Sequence, residues 1–403
     1  MSFSFQPEEF IVEEICLDGS VLEAGKKVEK PNLEGGKFCH FVLEKRLWNT
    51  AQALNAIASR LHLGRTRFNA AGTKDRNAIT VQLVSVFAGK PEHLLSAKVK
   101  DITINGAWLA DKKLDLGDLL GNRFTLTLNE ANCGKKLTSE EVVQNAAKNG
   151  GAFPNLFGSQ RFGSLRMNSH LVGKLLLQEN WRDAALNFLT YTDEMERNKE
   201  AVEARKKLAS ELDFKAALNY YPGHLKFERT LIGHLANSNN DFVGALRKLP
   251  RHTLLLFLHA YQSFLFNKLL EKKLAGGRLF EVEKGDSYCS AEPTFGFPDD
   301  ATIKIADKNL TEDAMEGKIF PLANLVGRDT QLTSDEKQLL EEEGIEQSKF
   351  NIKGMPELTS KGTQRPVFVR FSNFQVLEKE PLKVQFSLPS GSYATVAMEA
   401  LLN

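Results

Sequence analysis

Asp75 is the residue of this chain best equipped for chemistry. It lies between Lys74 and Arg76 in Gly72-Thr73-Lys74-Asp75-Arg76, a tight polar turn. The turn opens onto an alternating stretch with Ile79, Val81 and Leu83 on one face and Thr80 and Gln82 on the other, which predicts a strand. A carboxylate between two cations at the mouth of a strand sits on a rigid mount and can act as a base or a nucleophile. The same triplet also fits a solvated surface turn. Over residues 37–82, eight Lys and Arg residues stand against only Glu44 and Asp75, although the 403-residue chain has a formal net charge of +1. That local excess suits a surface that tracks phosphates, and equally a solvated helix face.

Strands and a capped helix must hold this turn. Residues 7–15 and 38–43 alternate as strands. Asn49 offers an N-cap with Gln52 three residues on, a capping-box pattern, and Ala53, Leu54, Ile57, Ala58 and Leu61 continue at helical spacing. Residues 99–104 and 123–129 are the next strands; in the second, Phe124 shares a face with Leu126 and Leu128, which on pattern alone makes it core. Thr138 with Glu141 starts a helix that Gly150-Gly151 ends. Strands and helices interspersed without βαβ repeats indicate an α+β class. At Phe153 the texture changes to an aromatic, glycine-rich loop, and residues 169–273 read as mainly helical, with 192–212 solvent-facing and 252–273 a core helix. Strands return at 367–371 and 382–388, and a closing helix starts near Ser392 or Thr395.

Composition narrows the classes. At 42% hydrophobic and 26% charged residues, the chain is an ordinary globular protein with room for two domains or one large insertion. Its longest apolar run, 254–258, is too short for a bilayer, and no amino-terminal run resembles a signal peptide. Cys16, Cys39, Cys133 and Cys289 form no C-x-x-C pair, so neither a zinc site nor a disulfide framework is expected, and a reducing cytoplasm is. No P-loop, H-E-x-x-H or G-x-S-x-G occurs. What remains is an aspartate beside cations, basic surface and loop aromatics, the ingredients of carboxylate chemistry on RNA.

On these residues the chain resembles the TruD family of tRNA pseudouridine synthases. Gly72-Thr73-Lys74-Asp75-Arg76-Asn77-Ala78-Ile79-Thr80-x-Gln82 is similar to the family's aspartate signature, and Gly121-Asn122-Arg123-Phe124 to its G-N-x-F element. Residues 154–163, PNLFGSQRFG, match the family loop with Leu156 in place of the usual aromatic. Residues 259–267 and 390–395 resemble its core helix and its carboxy-terminal G-S-[YF]-A-T. The resemblance implies a pseudouridine-synthase catalytic domain, a mixed sheet flanked by helices, built from 1–157 and 365–403, with an α+β TRUD domain inserted at 158–364. It implies isomerisation of a uridine in tRNA, at position thirteen in the family's best-established substrate. No cofactor, metal or obligatory protein partner is implied. Asp75 is then the catalytic carboxylate. Phe124 then corresponds to the family's aromatic that stacks on the uracil, Asn122 orients Asp75 or the base, Lys74 or Arg76 helps keep Asp75 ionised, and Arg161 shapes the cleft or meets phosphate. A non-catalytic RNA-binding protein or chaperone on the same scaffold is the alternative, and only the synthase needs Asp75.

Overall fold

The strand order brings the polar turn into the middle of a sheet. The structure, a computed structural model, describes residues 3–403 except Ser164, Leu165 and Met195. Early strands are β1 (Phe10–Ile15), β2 (Phe38–Arg46), β3 (Phe68–Ala70), β4 (Ile79–Phe87), β5 (Ile102–Ala110) and β6 (Gly121–Leu128). Then come β7 (Ala152–Pro154), β8 (Ser287–Ala291), β9 (Pro298–Ile305), β10 (Ile319–Leu325), β11 (Thr363–Pro366) and β12 (Phe368–Arg370). The last two are β13 (Ser372–Lys379) and β14 (Leu382–Pro389). The large sheet runs β13-β14-β6-β1-β4-β2-β5, with β3 paired to β4. β1 takes one half of an edge of β4, at Ile79–Val81, and runs parallel to it, while β3 takes the other half, at Val84–Val86. A parallel neighbour requires a crossover, here the chain through β2 and the Thr50–Arg60 helix.

This position encloses both faces of β4: Thr80 and Gln82 are as completely buried as Val81 and Val84. The physical reason lies in the covering elements. Thr80 sits opposite Lys45 on β2, and Gln82 is capped by Thr50 at the start of the helix, so the polar face is internal, with Gln82 hydrogen-bonded and the Thr80 hydroxyl buried without a partner among the described residues. Asn49 does cap that helix, accepting from the Gln52 N–H at 2.8 Å.

Four packed cores occur among the described residues, the smallest joining Leu22, Val42, Val81 and Trp108, and the other three hold the main elements together. The Thr50–Arg60 helix buries Ala53, Leu54, Ile57 and Ala58 against Phe41, Leu43, Val84 and Val86. Near the other end of the sheet, the Ser139–Ala147 and Ala394–Leu402 helices close over Leu126, Val384, Phe386 and Leu388. The third core surrounds the Arg251–Ala275 helix and reaches Phe320 and Phe350 beside the small sheet, whose order is β11-β10-β8-β9. The large sheet draws only on residues 10–128 and 372–389, the small one on 287–366, and β11 runs across position 364. Among the described residues no helix is long and apolar enough to cross a membrane.

Several strands differ from their sequence outline. β1 begins at Phe10 rather than 7, because Pro7–Glu9 forms a single 3-10 turn. β5 begins at Ile102 rather than 99, because Asp101 adopts φ 59° and its carbonyl accepts from the Arg46 N–H. β6 begins at Gly121, two residues earlier than its hydrophobic pattern, and only glycine fits there: a Cβ would lie 2.2 Å from the Leu388 carbonyl oxygen. β13 carries no sequence signal, since it is an edge strand with little side-chain burial.

Candidate active site

The turn between β3 and β4 is clamped by its main chain. The Thr50 hydroxyl accepts from the Lys74 N–H at 2.9 Å and donates to Gln82 Oε1 at 2.9 Å. Gln82 Nε2 returns to the loop, donating to the Gly72 carbonyl at 3.0 Å. Lys45 Nζ donates to the carbonyls of Trp48, Asp75 and Lys74 at 2.6, 2.9 and 3.4 Å. Thr50, Gln82 and Lys45 are all buried, so these bonds are sheltered from water. Their common effect is to fix the backbone of residues 72–75 against a central strand.

Asp75 itself is the loop residue left open. Among the described residues no hydrogen bond or ion pair engages its carboxylate, and its side chain reaches solvent. Surrounding protein nevertheless desolvates the carboxyl enough to raise its pKa above 3.8, against the opposing pull of the Lys45 and Lys74 charges. Lys45 is shifted in the complementary sense. Burial is the main cause and brings it down to about 8, Asp75 pulling it up and Lys74 pushing it down. A carboxylate that is accessible, fixed by its backbone and more basic than usual is suited to proton abstraction or nucleophilic attack.

Lys74 turns inward, and its ammonium has two partners. It lies 2.7 Å from Glu14 Oε2 and 2.7 Å from Asn122 Oδ1, with both charged side chains nearly inaccessible. Glu14 on β1 and Asn122 on β6 are register partners, so the sheet itself brings them together. Because Asn122 Oδ1 accepts from Lys74, its amide nitrogen is left to donate elsewhere. Buried ion pairs of this kind contribute specificity of arrangement more than stability.

The other residues singled out from sequence separate. Arg76 is exposed and donates to the Leu47 carbonyl at 3.3 Å, away from Lys74. Phe124 is two residues from Asn122 on the same face, but only 5% exposed. Its ring lies between Phe386 and Phe10, at centroid distances of 5.7 and 6.2 Å, in a cluster that also contains Ala78. Both ring faces are taken by these neighbours, so none is open for the stacking on uracil that the resemblance implies. Arg161 is at the junction of the sheets, donating to Ser263 Oγ at 3.0 Å and lying 5.4 Å over the Phe157 ring. There the separate motifs of the sequence converge. Asn267 brackets Phe157 by accepting from its N–H and donating to its carbonyl, and Arg365 holds Asn155 and the Gly391 carbonyl.

Lys45, Glu14, Thr50 and Gln82 carry roles that the sequence did not announce. The signals were faint: a lysine closing the apolar run 38–43, and two glutamates, Glu13 and Glu14, continuing a strand that is central in the sheet. Part of the basic excess is spent on structure. Arg65 donates to the Phe68 carbonyl, Arg67 to those of Phe87 and Ala88, and Lys45 is inside the protein.

Comparison with known proteins gives one answer along the whole chain. The family model for tRNA pseudouridine synthase D (TruD) matches residues 2–400. A relative from Methanopyrus kandleri, named probable tRNA pseudouridine synthase D, is 35% identical over 389 residues, 94% of this chain and 90% of the relative. One of the same name from Methanosarcina barkeri is 34% identical over 419 residues, 97% of this chain and 90% of the relative. A crystal structure of the Methanosarcina mazei protein named as a putative tRNA pseudouridine synthase D (TruD) superposes with TM-score 0.76 at 30% identity, covering 100% of this chain and 93% of that one.

Proposed function

The chain belongs to the TruD family of tRNA pseudouridine synthases, and from that premise we propose that Asp75 is the carboxylate with which it isomerises uridine to pseudouridine in tRNA. The observation that carries this is the contrast at residues 72–75, a backbone held by three buried side chains and a carboxylate held by none. The reaction balances within the substrate. The N1–C1′ bond breaks, the uracil turns, C5 bonds to C1′, a proton leaves C5 and one arrives at N1. One carboxylate that attacks C1′ or moves a proton is enough, and its raised pKa strengthens it for either task.

The target uridine must leave its stack, which takes a few kcal/mol that the pocket offsets. Asn122 offers its amide N–H groups to the base or to Asp75, and Phe124 supports the pocket from below, meeting the base by its edge. Lys74 and Lys45 oppose full protonation of Asp75, Lys74 by through-space charge and Lys45 also through the loop. Arg76 and Arg161 are cations for the RNA backbone or for shaping the cleft. We take 1–157 with 365–403 as the catalytic domain, 158–364 as the insertion, position thirteen of tRNA as the target, and the cytoplasm as the compartment, which suits four buried, unpaired cysteines.

Chemical mapping of pseudouridines in total RNA, from cells with and without this protein, tests the reading. Loss of one tRNA pseudouridine at position thirteen is the expected result. Identical maps would remove the catalytic claim and leave the RNA-binding alternative.

A further inference from the structure

A recess that shares no residue with the Asp75 site opens where the two sheets meet. It encloses about 210 Å³ and is lined by Asn155, Phe157, Asp300, Gln364, Arg365 and Ser390, among others. That leaves room for a group the size of one heterocyclic base. Its large-sheet wall includes Leu120, which is two strand residues, roughly 7 Å, from Asn122. One wall of the recess therefore begins about one nucleotide step along the chain from the group that Lys74 holds.

Its two charged walls are complementary and unjoined. Arg365 is fixed from behind: Nε donates to the Asn155 carbonyl at 3.2 Å, and one terminal nitrogen donates to Asn155 Oδ1 at 2.7 Å and to the Gly391 carbonyl at 3.0 Å. The guanidinium carbon lies 4.2 Å from the centre of the Phe157 ring. Among the described residues its other terminal nitrogen has no acceptor. Asp300 lines the same recess; its carboxylate has no hydrogen-bond or ion-pair partner among the described residues, yet the Arg365 charge is near enough to influence it. A site that offers both a free arginine donor and an anionic acceptor disfavours phosphate. It fits a base with acceptors on one edge and adjacent N–H donors on the next. Guanine has that arrangement, with O6 and N7 for an arginine and N1–H and N2–H₂ for a carboxylate.

We propose that this recess binds a guanine base of the RNA close to the target uridine, Arg365 reading its O6/N7 edge and Asp300 its N1/N2 edge. The proposal rests on the synthase reading, and the experiment separates the two. A transcript of the tRNA whose uridine is found to be modified is prepared with each neighbouring nucleotide changed in turn to G, A, C, U and inosine, which lacks the N2 amine. Wild-type protein and Asp300→Asn are compared by kcat/KM for pseudouridine formation, with thermal melts of both. At one neighbouring position guanosine should exceed adenosine by about tenfold or more, and inosine should fall between them. Asp300→Asn should reduce the guanosine-over-inosine ratio to near one while melting like the wild type, its side chain having no partner to lose. Absence of a guanosine preference at every position, or a preference unchanged in Asp300→Asn, overturns the subsite while the synthase stands. If no transcript acquires pseudouridine, the synthase reading fails and the subsite fails with it.

Discussion

The ammonium of Lys45 donates to the backbone carbonyl of Asp75 at 2.9 Å, gripping the turn by its main chain and leaving the carboxylate unbound. A lysine in that place orients without occupying. It also raises the local positive potential on the side from which a negatively charged RNA must approach.

Replacing Lys45 by methionine keeps much of the buried volume but removes the donor to three carbonyls. Hydrogen bonds to a charged group contribute about 1.5–3 kcal/mol each, and relief of the desolvated ammonium offsets part of that. A stability loss of about 1.5–3 kcal/mol is expected from urea titration. Activity should fall further, by about 100-fold in single-turnover rate, because a small displacement of the reacting group is enough for such a loss. Equal rates in the two proteins would show that the clamp does not position Asp75.

The pH profile should have both limbs displaced toward neutrality. Asp75 works ionised, and its raised pKa puts the acid limb above 3.8. Lys45 loses its charge at about 8, which sets the alkaline limb. Stability moves otherwise. From about 8 up to 10.5 the unfolded lysine keeps a proton that the folded one has released, so this group's contribution to stability rises with pH. From 3.8 up to its folded value the Asp75 carboxyl holds a proton that the unfolded one has lost, so its contribution falls as pH rises. Rate measurements and melts across pH should therefore diverge above about 8, with activity falling and no parallel loss of stability from Lys45. A rate that simply follows unfolding would contradict this.

Glu14→Gln should be more damaging than its distance from the chemistry suggests. It leaves the Lys74 ammonium inside the protein without its counter-charge, a change of about 3–5 kcal/mol. Combining it with Lys74→Met should restore much of that stability, since removing both members of a buried pair is often neutral. A double-mutant cycle from chemical denaturation reads the coupling directly, and additive losses would deny it.

How far these contacts could be read in advance depends on whether they are local. Asp75 was legible because the turn, the cations and the alternation beyond them lie within one short stretch. The helix at Thr50–Arg60 was legible from its cap and periodicity, and the core helix at Arg251–Ala275 from a run that is apolar nearly all round. Lys45 was not, because its burial follows from pairing with Thr80, 35 residues on, and from the helix that covers both. Arg365 was missed for the same reason: its partners Asn155 and Gly391 are 210 and 26 residues away. The direction of Arg76 was open in the sequence and turns out to be outward. Phe124 was legible as core from its strand face, and its ring is indeed packed from both sides.

Phe124 therefore calls for two substitutions. Phe124→Ala should cost about 3–5 kcal/mol, as expected for a buried ring, and any loss of activity is then confounded. Phe124→Leu retains a large apolar side chain and should change stability by less than about 1.5 kcal/mol. If the ring edge supports the uracil, the leucine variant should still lose about three- to tenfold in kcat, edge contacts with an aromatic being worth about 0.5–1.5 kcal/mol. A leucine variant with wild-type kcat would make Phe124 a core residue alone.

The most direct test is Asp75→Asn assayed for pseudouridine on tRNA in single turnover, alongside its tRNA affinity and its melting temperature. The side chain makes no contact that folding needs, and the amide preserves its shape. Pseudouridine formation should disappear, with binding and melting close to wild type. Pseudouridine formed at the wild-type rate would contradict the assignment of Asp75 as the catalytic carboxylate.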